Sequence, residues 1–340
     1  MLQSPGHLAI EHPLIINMSY YNKGNSFYHG IMFHHFHDEK IHPRSQGSIS
    51  KDEFYKLINF IGRQNILDAH VFIERYKEKK LKENEVCLTF DDAIKCQIDV
   101  ALPVLEDLKI KSFFFVYTSI FDGKPDSLEI FRFFRTNFFK SINNFYDEFY
   151  KQMNEKLEVF FNSKKRLIDE KKIKHPTYSI EDIKFRLVRD LFLKKEDYEK
   201  IMSEMMKKKK FNPSKYYSNL FFNKDDLKSL SSLNHTIGIH SHHHHTLIES
   251  LNYNEQKYEY ETCLSNISRI LNVPKENIKS MSHPCGSYNQ DTLSILKNLG
   301  IELGFKQIMK VEPERGMKKI NNSNLEIARQ NHSEIMKKIL

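Results

Sequence analysis

Two adjacent carboxylates, Asp91 and Asp92, directly follow an apolar run at residues 86–90. Such a run predicts a buried strand, and the backbone at its end turns neighbouring side chains in different directions. One carboxylate can then hold a metal ion while the other stays free as a base. Paired Asp residues after strands are also common turn formers and helix N-caps, so the pair alone does not establish catalysis.

A histidine-rich tract follows a second short apolar run. Residues 236–239 predict a strand, and the tract HSHHHHT at residues 240–246 begins where that strand ends. Two imidazoles with one carboxylate are a common ligand set for a catalytic divalent metal that keeps a position open for water. The alternative interpretation is a solvated loop with incidental metal affinity.

Two further segments place polar side chains after apolar runs. Residues 282–288, SHPCGSY, contain Pro and Gly that shape a tight turn able to aim backbone N–H groups at a ligand. Residues 325–328 predict an apolar strand that leads to Arg329 and His332. These two side chains could reach the edge where the other predicted strands end. Each segment also has an ordinary surface interpretation.

Predicted strands alternate with predicted helices along most of the chain. The strands are 30–33, 86–90, 112–117, 236–239 and 278–283, and the helices are 54–61 after a Ser50–Glu53 capping box, 94–108, 255–271 and 289–299, with Gly300 at C′. This alternation predicts an α/β fold with a parallel sheet or barrel, in which chemistry lies at the carboxyl ends of the strands.

The domain organisation predicted from the sequence is a single barrel domain at residues 26–340. Residues 1–25 form an N-terminal extension of uncertain structure. A helical insertion interrupts the barrel at about residues 126–224, where Phe, Leu and Met recur at helical spacing among alternating Lys and Glu.

Composition describes a folded protein of 340 residues, of which 40% are hydrophobic and 28% charged. The net charge of +8 is spread along the chain without a motif that interleaves basic and aromatic residues, so we do not expect a nucleic-acid partner. No signal peptide or transmembrane segment is predicted. We expect a cytoplasmic protein, or one peripheral to the inner face of the membrane.

Three motifs, taken in order, resemble carbohydrate esterase family 4, the polysaccharide deacetylases with a NodB homology domain. They are TFDD at residues 89–92, HSxxH at 240–244 and HPxGSY at 283–288. The resemblance implies a distorted (β/α) barrel of about seven parallel strands. It also implies hydrolysis of an N- or O-acetyl group on a sugar. Removal of a formyl group is an alternative, and the lack of a predicted export signal favours an intracellular saccharide precursor such as a glycolipid.

The same resemblance assigns roles to residues of this chain. Asp91 becomes the general base, and Asp92, His240 and His244 become the protein ligands of one divalent ion. Zn is the expected metal, with Co, Ni and Mn as alternatives. A backbone N–H in the turn that contains Pro284, Cys285, Gly286 and Tyr288 is expected to stabilise the oxyanion.

Two features depart from the family pattern. Ser282 stands where the third motif often begins with an Arg that orients the base, and Arg329 is the candidate substitute. In the resembled family the general acid is a His in a late Leu-x-Leu-x-His motif, and this chain has no clear copy of it. His332 is therefore the predicted general acid, with His34 and His35 as further candidates at the rim. Two other functions stay open: a catalytically silent metal- or saccharide-binding partner in glycan assembly, and a hydrolase of a non-sugar C–N bond.

Overall fold

A computed structural model of the protein describes residues 27–153, 156–174 and 178–339. The predicted N-terminal extension, residues 1–25, lies outside the described residues. Within them, seven strands form one parallel sheet in the order β6-β5-β4-β3-β2-β1-β7. The strands are β1 (His29–Phe33), β2 (Val86–Asp91), β3 (Phe113–Val116), β4 (Thr236–Ile239), β5 (Ser280–Ser282), β6 (Leu303–Phe305) and β7 (Arg329–Asn331).

The two edges of the sheet approach each other and nearly close it into a barrel. Phe305 at the end of β6 forms a parallel bridge with Ile327, just before β7. The Lys306 N–H donates to the Ile327 carbonyl at 2.9 Å, and the Ile327 N–H donates to the Gly304 carbonyl at 2.9 Å. The prediction of a (β/α) barrel of about seven parallel strands is therefore confirmed.

The helices alternate with the strands, as the sequence predicts. In chain order they are α1 (Lys51–Ile61), α2 (Ala69–Lys77), α3 (Leu102–Asp107), α4 (Ser127–Asn137), α5 (Ile142–Tyr150), α6 (Lys156–Ser163), α7 (Lys165–Lys174), α8 (Ile180–Leu187), α9 (Lys195–Lys208), α10 (Tyr217–Leu220), α11 (Lys224–Ser232), α12 (Tyr253–Leu271), α13 (Gln290–Asn298) and α14 (His332–Ile339). The capping box of α1 forms between Ser50 and Glu53, as predicted. The predicted helix at 94–108 is divided between a wide π-type segment, Gln97–Ala101, and α3, whose first turn contains Pro103.

Side chains of each strand alternate between the barrel interior and the surrounding helices. In β2, Leu88 and Phe90 join the large apolar core beneath the helices. Cys87 belongs to a smaller cluster inside the barrel together with Phe115 and Phe305. Because strand side chains have a period of two, Thr89 and Asp91 share the interior face with Cys87. The base candidate therefore lies at the end of a strand and points inward.

The helices α4–α10 come between β3 and α11 in the chain, where the sequence predicts the insertion. They have their own buried aromatic cluster, which includes Phe134, Phe145, Phe149 and Phe185. The single-domain assignment stays a prediction. No helix in the described part of the chain is long and apolar enough to cross a membrane.

Candidate active site and metal centre

Three strand ends bring the predicted chemical residues together at one end of the barrel. Asp91 is the last residue of β2, His240 directly follows β4, and Ser282 is the last residue of β5. Carboxyl ends of parallel strands meet at the same end of a barrel, so side chains that are far apart in sequence become neighbours.

Asp92, His240 and His244 converge on one point. The Oδ1 atom of Asp92 lies 3.2 Å from Nε2 of His240 and 3.2 Å from Nε2 of His244. These atoms satisfy the spacing of a three-ligand metal site. The Asp92 Oδ1 atom is buried and has no hydrogen-bond donor in bonding geometry among the described residues.

The other nitrogen of each imidazole already has a partner. His240 Nδ1 lies 2.8 Å from the Ser282 carbonyl oxygen, and His244 Nδ1 lies 2.8 Å from Oδ2 of Asp126. Because a carbonyl and a carboxylate can only accept, Nδ1 carries the proton in both rings and Nε2 is left with a lone pair. Two lone pairs and a carboxylate oxygen then face one another, an arrangement that requires a cation or a proton between them.

Burial and charge act in opposite directions on these groups. Burial by itself would raise the pKa of Asp92, but His244, His34 and His240 hold it well below its usual value. Burial by itself would lower the pKa of His244, but Asp92 and Asp126 raise it well above its usual value. The carboxylates therefore favour positive charge at this point.

Asp91 lies beside the cluster and has its own anchors inside the barrel. Arg329 Nη1 donates to Asp91 Oδ1 at 2.7 Å, and the Ser282 hydroxyl donates to the same oxygen at 3.1 Å. Both Asp91 and Arg329 are buried. Burial would raise the pKa of Asp91, but Arg329, His240 and His34 lower it. Asp91 is therefore held as an oriented anion.

Left-handed backbone conformations recur in all three motif segments. The φ angles are +75° at Asp92, +50° at Ala93, +63° at Ser241, +56° at His244 and +52° at Cys285. None of these residues is glycine, and each such position costs on the order of 1–2 kcal/mol unless the surroundings stabilise it. Strain of this kind concentrates at functional sites, where it fixes the direction of a side chain.

Comparison with known proteins assigns the family. The family model for polysaccharide deacetylases matches residues 78–132 and 195–304. The chain belongs to the polysaccharide deacetylase family. It is therefore a deacetylase of the carbohydrate esterase type, and the unmatched stretch between the two segments falls within the helices of the insertion. A search of curated proteins found no significant match to the sequence.

Solved structures agree on the fold. The deacetylase PplD of Streptococcus pyogenes, solved in complex with acetate, has a TM-score of 0.53 and 13% identity over 93% of this chain and 99% of that one. A de-N-acetylase from Aggregatibacter actinomycetemcomitans has a TM-score of 0.52 and 14% identity over 92% and 99% of the two chains. IcaB from Ammonifex degensii has a TM-score of 0.52 and 12% identity over 93% and 97%.

His34 and His35 follow β1 and lie at the rim of the candidate site. His34 Nε2 lies 3.9 Å from Asp91 Oδ2 and 3.8 Å from Asp92 Oδ2, and its side chain is 26% exposed. His35 Nε2 instead lies 2.8 Å from Oε2 of Glu129. Burial, followed by the charge of Arg132, lowers the pKa of His35. His34 alone of the two faces both carboxylates of the TFDD motif.

The loop predicted to hold the oxyanion divides into exposed backbone and a buried side chain. The Gly286 and Ser287 N–H groups donate to the carbonyls of His283 and Pro284. Among the described residues, no acceptor is recorded for the Cys285 N–H, which lies in the exposed part of the turn. The Tyr288 hydroxyl donates to Glu326 at 3.3 Å inside the protein, so its side chain points away from the ligand cluster.

His332, the predicted general acid, is placed at the start of α14. Its ring nitrogens lie 3.1 and 2.9 Å from the carbonyl oxygens of Met32 and Gly47, and its ring stacks on Phe33. Burial lowers its pKa to about 4. Within the described part of the chain, none of these contacts reaches Asp91, Asp92, His240 or His244. Its role as general acid stays a prediction, and these contacts do not favour it.

The sequence analysis missed three carboxylates that support the site. Asp126 and Glu129 come from the start of the insertion and contact His244 and His35. Glu259 of α12 accepts hydrogen bonds from the backbone N–H groups of His242 and His243. Asp126 is detectable in the sequence only as a helix N-cap, because its partner lies 118 residues away.

Proposed function

We propose that this deacetylase removes an acetyl or formyl group from a saccharide or glycolipid precursor in a metal-dependent hydrolysis with Asp91 as the base. One observation carries the proposal: Asp91 is anchored by Arg329 and Ser282 next to three converging metal-type ligands, at the carboxyl end of the barrel. Family membership supports the reaction class, and the contacts of Asp91 and of the three ligands support the roles proposed for them.

Asp92, His240 and His244 would hold one divalent ion. The buried Asp92 oxygen and the two Nε2 lone pairs fit a cation, and two imidazoles with a carboxylate suit Zn, with Co, Ni and Mn as alternatives. Such an ion lowers the pKa of a water molecule and polarises the acyl carbonyl.

Asp91 is suited to take up the proton of the attacking water. Arg329 Nη1 lies 2.7 Å from both carboxylate oxygens and keeps the group ionised, and the Ser282 hydroxyl donates to Oδ1. Oδ2 also lies 3.9 Å from His34 Nε2, on the side of the rim. A carboxylate fixed by two donors needs little reorganisation when the proton arrives.

His34 is the proposed donor of the proton that the leaving amine requires. Its Nε2 atom lies 3.9 Å from Asp91 Oδ2 at the rim, its side chain is partly exposed, and an imidazole ring can donate a proton. The Cys285 N–H, without a recorded acceptor in the described chain, is the proposed oxyanion donor. Its left-handed φ of +52° sets the direction of that turn.

Release of acetate or formate from a panel of acylated sugars tests the reaction. Replacement of Asp91 by Asn should reduce the rate by about 10²–10⁴-fold, the usual contribution of a general base, with metal content unchanged. Asp52→Asn, a change at an exposed carboxylate on α1, is the matched control and should leave the rate unaltered. Equal rates in wild type and Asp91→Asn would refute the role of the base. Release from none of the sugars by a metal-loaded protein would favour a binding partner.

The leaving group tests the role of His34 separately. His34→Gln should slow the release of acetate from an N-acetyl sugar by about 10²-fold, because an amine departs poorly without a proton. The rate of hydrolysis of an aryl acetate, whose leaving group needs no proton, should fall only slightly in the same variant. A similar loss with both substrates would show that His34 acts only in binding or folding.

A further inference from the structure

The histidine tract contributes to a second cluster on its outer side. His243 and His245 lie together with Glu259 of α12, and one potential ligand atom of each lies within 4.8 Å of the others. Glu259 Oε1 is 2.6 Å from His243 Nδ1 and 3.5 Å from His245 Nε2. This outer cluster shares no residue with Asp92, His240 and His244.

Backbone geometry explains why one tract serves two sides. Ser241 and His244 both have positive φ, so the backbone takes a left-handed conformation at two positions in the tract. His240 and His244 turn towards Asp92, whereas His243 and His245 turn towards α12. Successive histidines from His243 to His245 therefore face alternately outwards to Glu259 and inwards to Asp92.

Glu259 is oriented before any ligand arrives. Its Oε2 atom accepts the backbone N–H groups of His242 and His243 at 3.0 and 2.7 Å, which leaves Oε1 to face the two imidazoles. The carboxylate side chain is only 4% exposed, while the imidazoles of His243 and His245 are 40% and 35% exposed. A buried and fixed carboxylate beside two accessible imidazoles combines preorganisation with an open path to solvent.

We propose that His243, His245 and Glu259 form a second site for a divalent transition metal such as Zn²⁺ or Cu²⁺. The ligand set contains two nitrogens and one carboxylate oxygen and leaves a position for water, which suits these ions better than Mg²⁺ or Ca²⁺. The ion would connect the histidine tract to α12. We expect this outer site to bind more weakly than the inner site, because its imidazoles are exposed. Among the described residues, no hydrogen bond fixes their second ring nitrogens as Ser282 and Asp126 fix those of His240 and His244.

Stoichiometry and spectroscopy test this site without any enzymatic substrate. Full-length protein free of any polyhistidine tag is stripped with a chelator and titrated with Cu²⁺, which fills the tighter inner site first, while electron paramagnetic resonance records nitrogen coupling. Wild type should bind a second equivalent with imidazole nitrogen coupling. His243→Ala/His245→Ala should lose this step by more than about 100-fold in affinity, because even changes beyond the ligands cost about 10–100-fold.

Two controls make the outcome decisive. His70→Ala removes an exposed imidazole on α2 and should behave as wild type. Thermal unfolding followed by far-UV circular dichroism checks that the double variant is folded. We expect it to fold because both side chains lie at the surface. The proposal is overturned if wild type binds one equivalent only, or if the double variant keeps the second step. Either result leaves the proposed deacetylation untouched, since that rests on the inner ligands.

Discussion

The inner and outer clusters of the histidine tract use similar ligands in different surroundings. The inner one, Asp92 with His240 and His244, is built at strand ends, and its imidazoles are almost fully buried. The outer one, His243 with His245 and Glu259, lies at the surface. The comparison teaches that ligand type does not decide the role of a metal site. The difference that matters for the proposed reaction is the oriented carboxylate of Asp91, which stands beside the inner cluster.

The largest expected effect is on metal binding and activity, when a ligand of each cluster is replaced in turn. Asp92→Ala should abolish binding at the inner site and reduce deacetylation below detection, because both the ligand and the charge that attracts the cation are lost. His243→Ala/His245→Ala is the matched variant on the outer side and should retain activity. Metal content by mass spectrometry, together with acetate release, measures both. If the outer variant loses activity as completely, the division between a catalytic and a peripheral site is wrong.

The second effect concerns the charge pair inside the barrel, a feature of the inner site alone. Arg329→Met leaves Asp91 buried without its cation, and breaking a buried pair in this way costs about 3–5 kcal/mol in the free energy of unfolding. Arg44→Met removes the exposed partner of Glu53 and should cost about 0–1 kcal/mol. Urea unfolding followed by circular dichroism measures both. Equal losses of unfolding free energy in the two variants would mean that the buried Asp91–Arg329 pair contributes no more to stability than the exposed pair.

The third effect depends on pH and tests how the insertion supports the inner side. Burial would raise the pKa of Glu129, but Arg132 and His35 lower it to about 2. A carboxylate whose pKa is lowered by folding stabilises the folded state above its ordinary pKa, and this contribution disappears as the pH falls towards 2. At pH 7 it amounts to about 3 kcal/mol.

Glu129→Gln should therefore be about 3 kcal/mol less stable than wild type at pH 7, and the difference should shrink steadily between about pH 5 and pH 2. Chemical unfolding at several pH values measures the difference directly. Glu148→Gln, at an exposed pair with Lys209 in the same insertion, should change stability by less than about 1 kcal/mol. A difference that stays constant with pH would exclude the proposed charge interaction.

The parts of the site that lie close together in sequence were predictable, and the parts joined by tertiary contacts were not. Strands β2 and β4 are largely apolar runs that lead into polar motifs, so their ends could be located from the sequence. Strand β6 is three residues long with Gly304 at its centre, which produces no recognisable pattern. Asp126 and Glu129 look like ordinary residues at a helix start, because only folding brings them to His244 and His35.

The smallest effect concerns the orientation of one inner ligand by the insertion. Asp126 holds His244 Nδ1 at 2.8 Å, which fixes the tautomer and turns Nε2 towards Asp92. Loss of such a partner costs about 10–100-fold in metal affinity, so Asp126→Asn should weaken inner-site binding by that amount while the outer site is unchanged.

Asp122 offers the matched control for this change. It lies 3.9 Å from His242 Nε2, is largely exposed, and contacts none of the inner ligands. Asp122→Asn should therefore leave both affinities as in wild type. If Asp126→Asn also leaves the inner affinity unaltered, the strained backbone at His244 is sufficient to aim the imidazole. The insertion would then act as a cover over the site and not as part of its metal-binding structure.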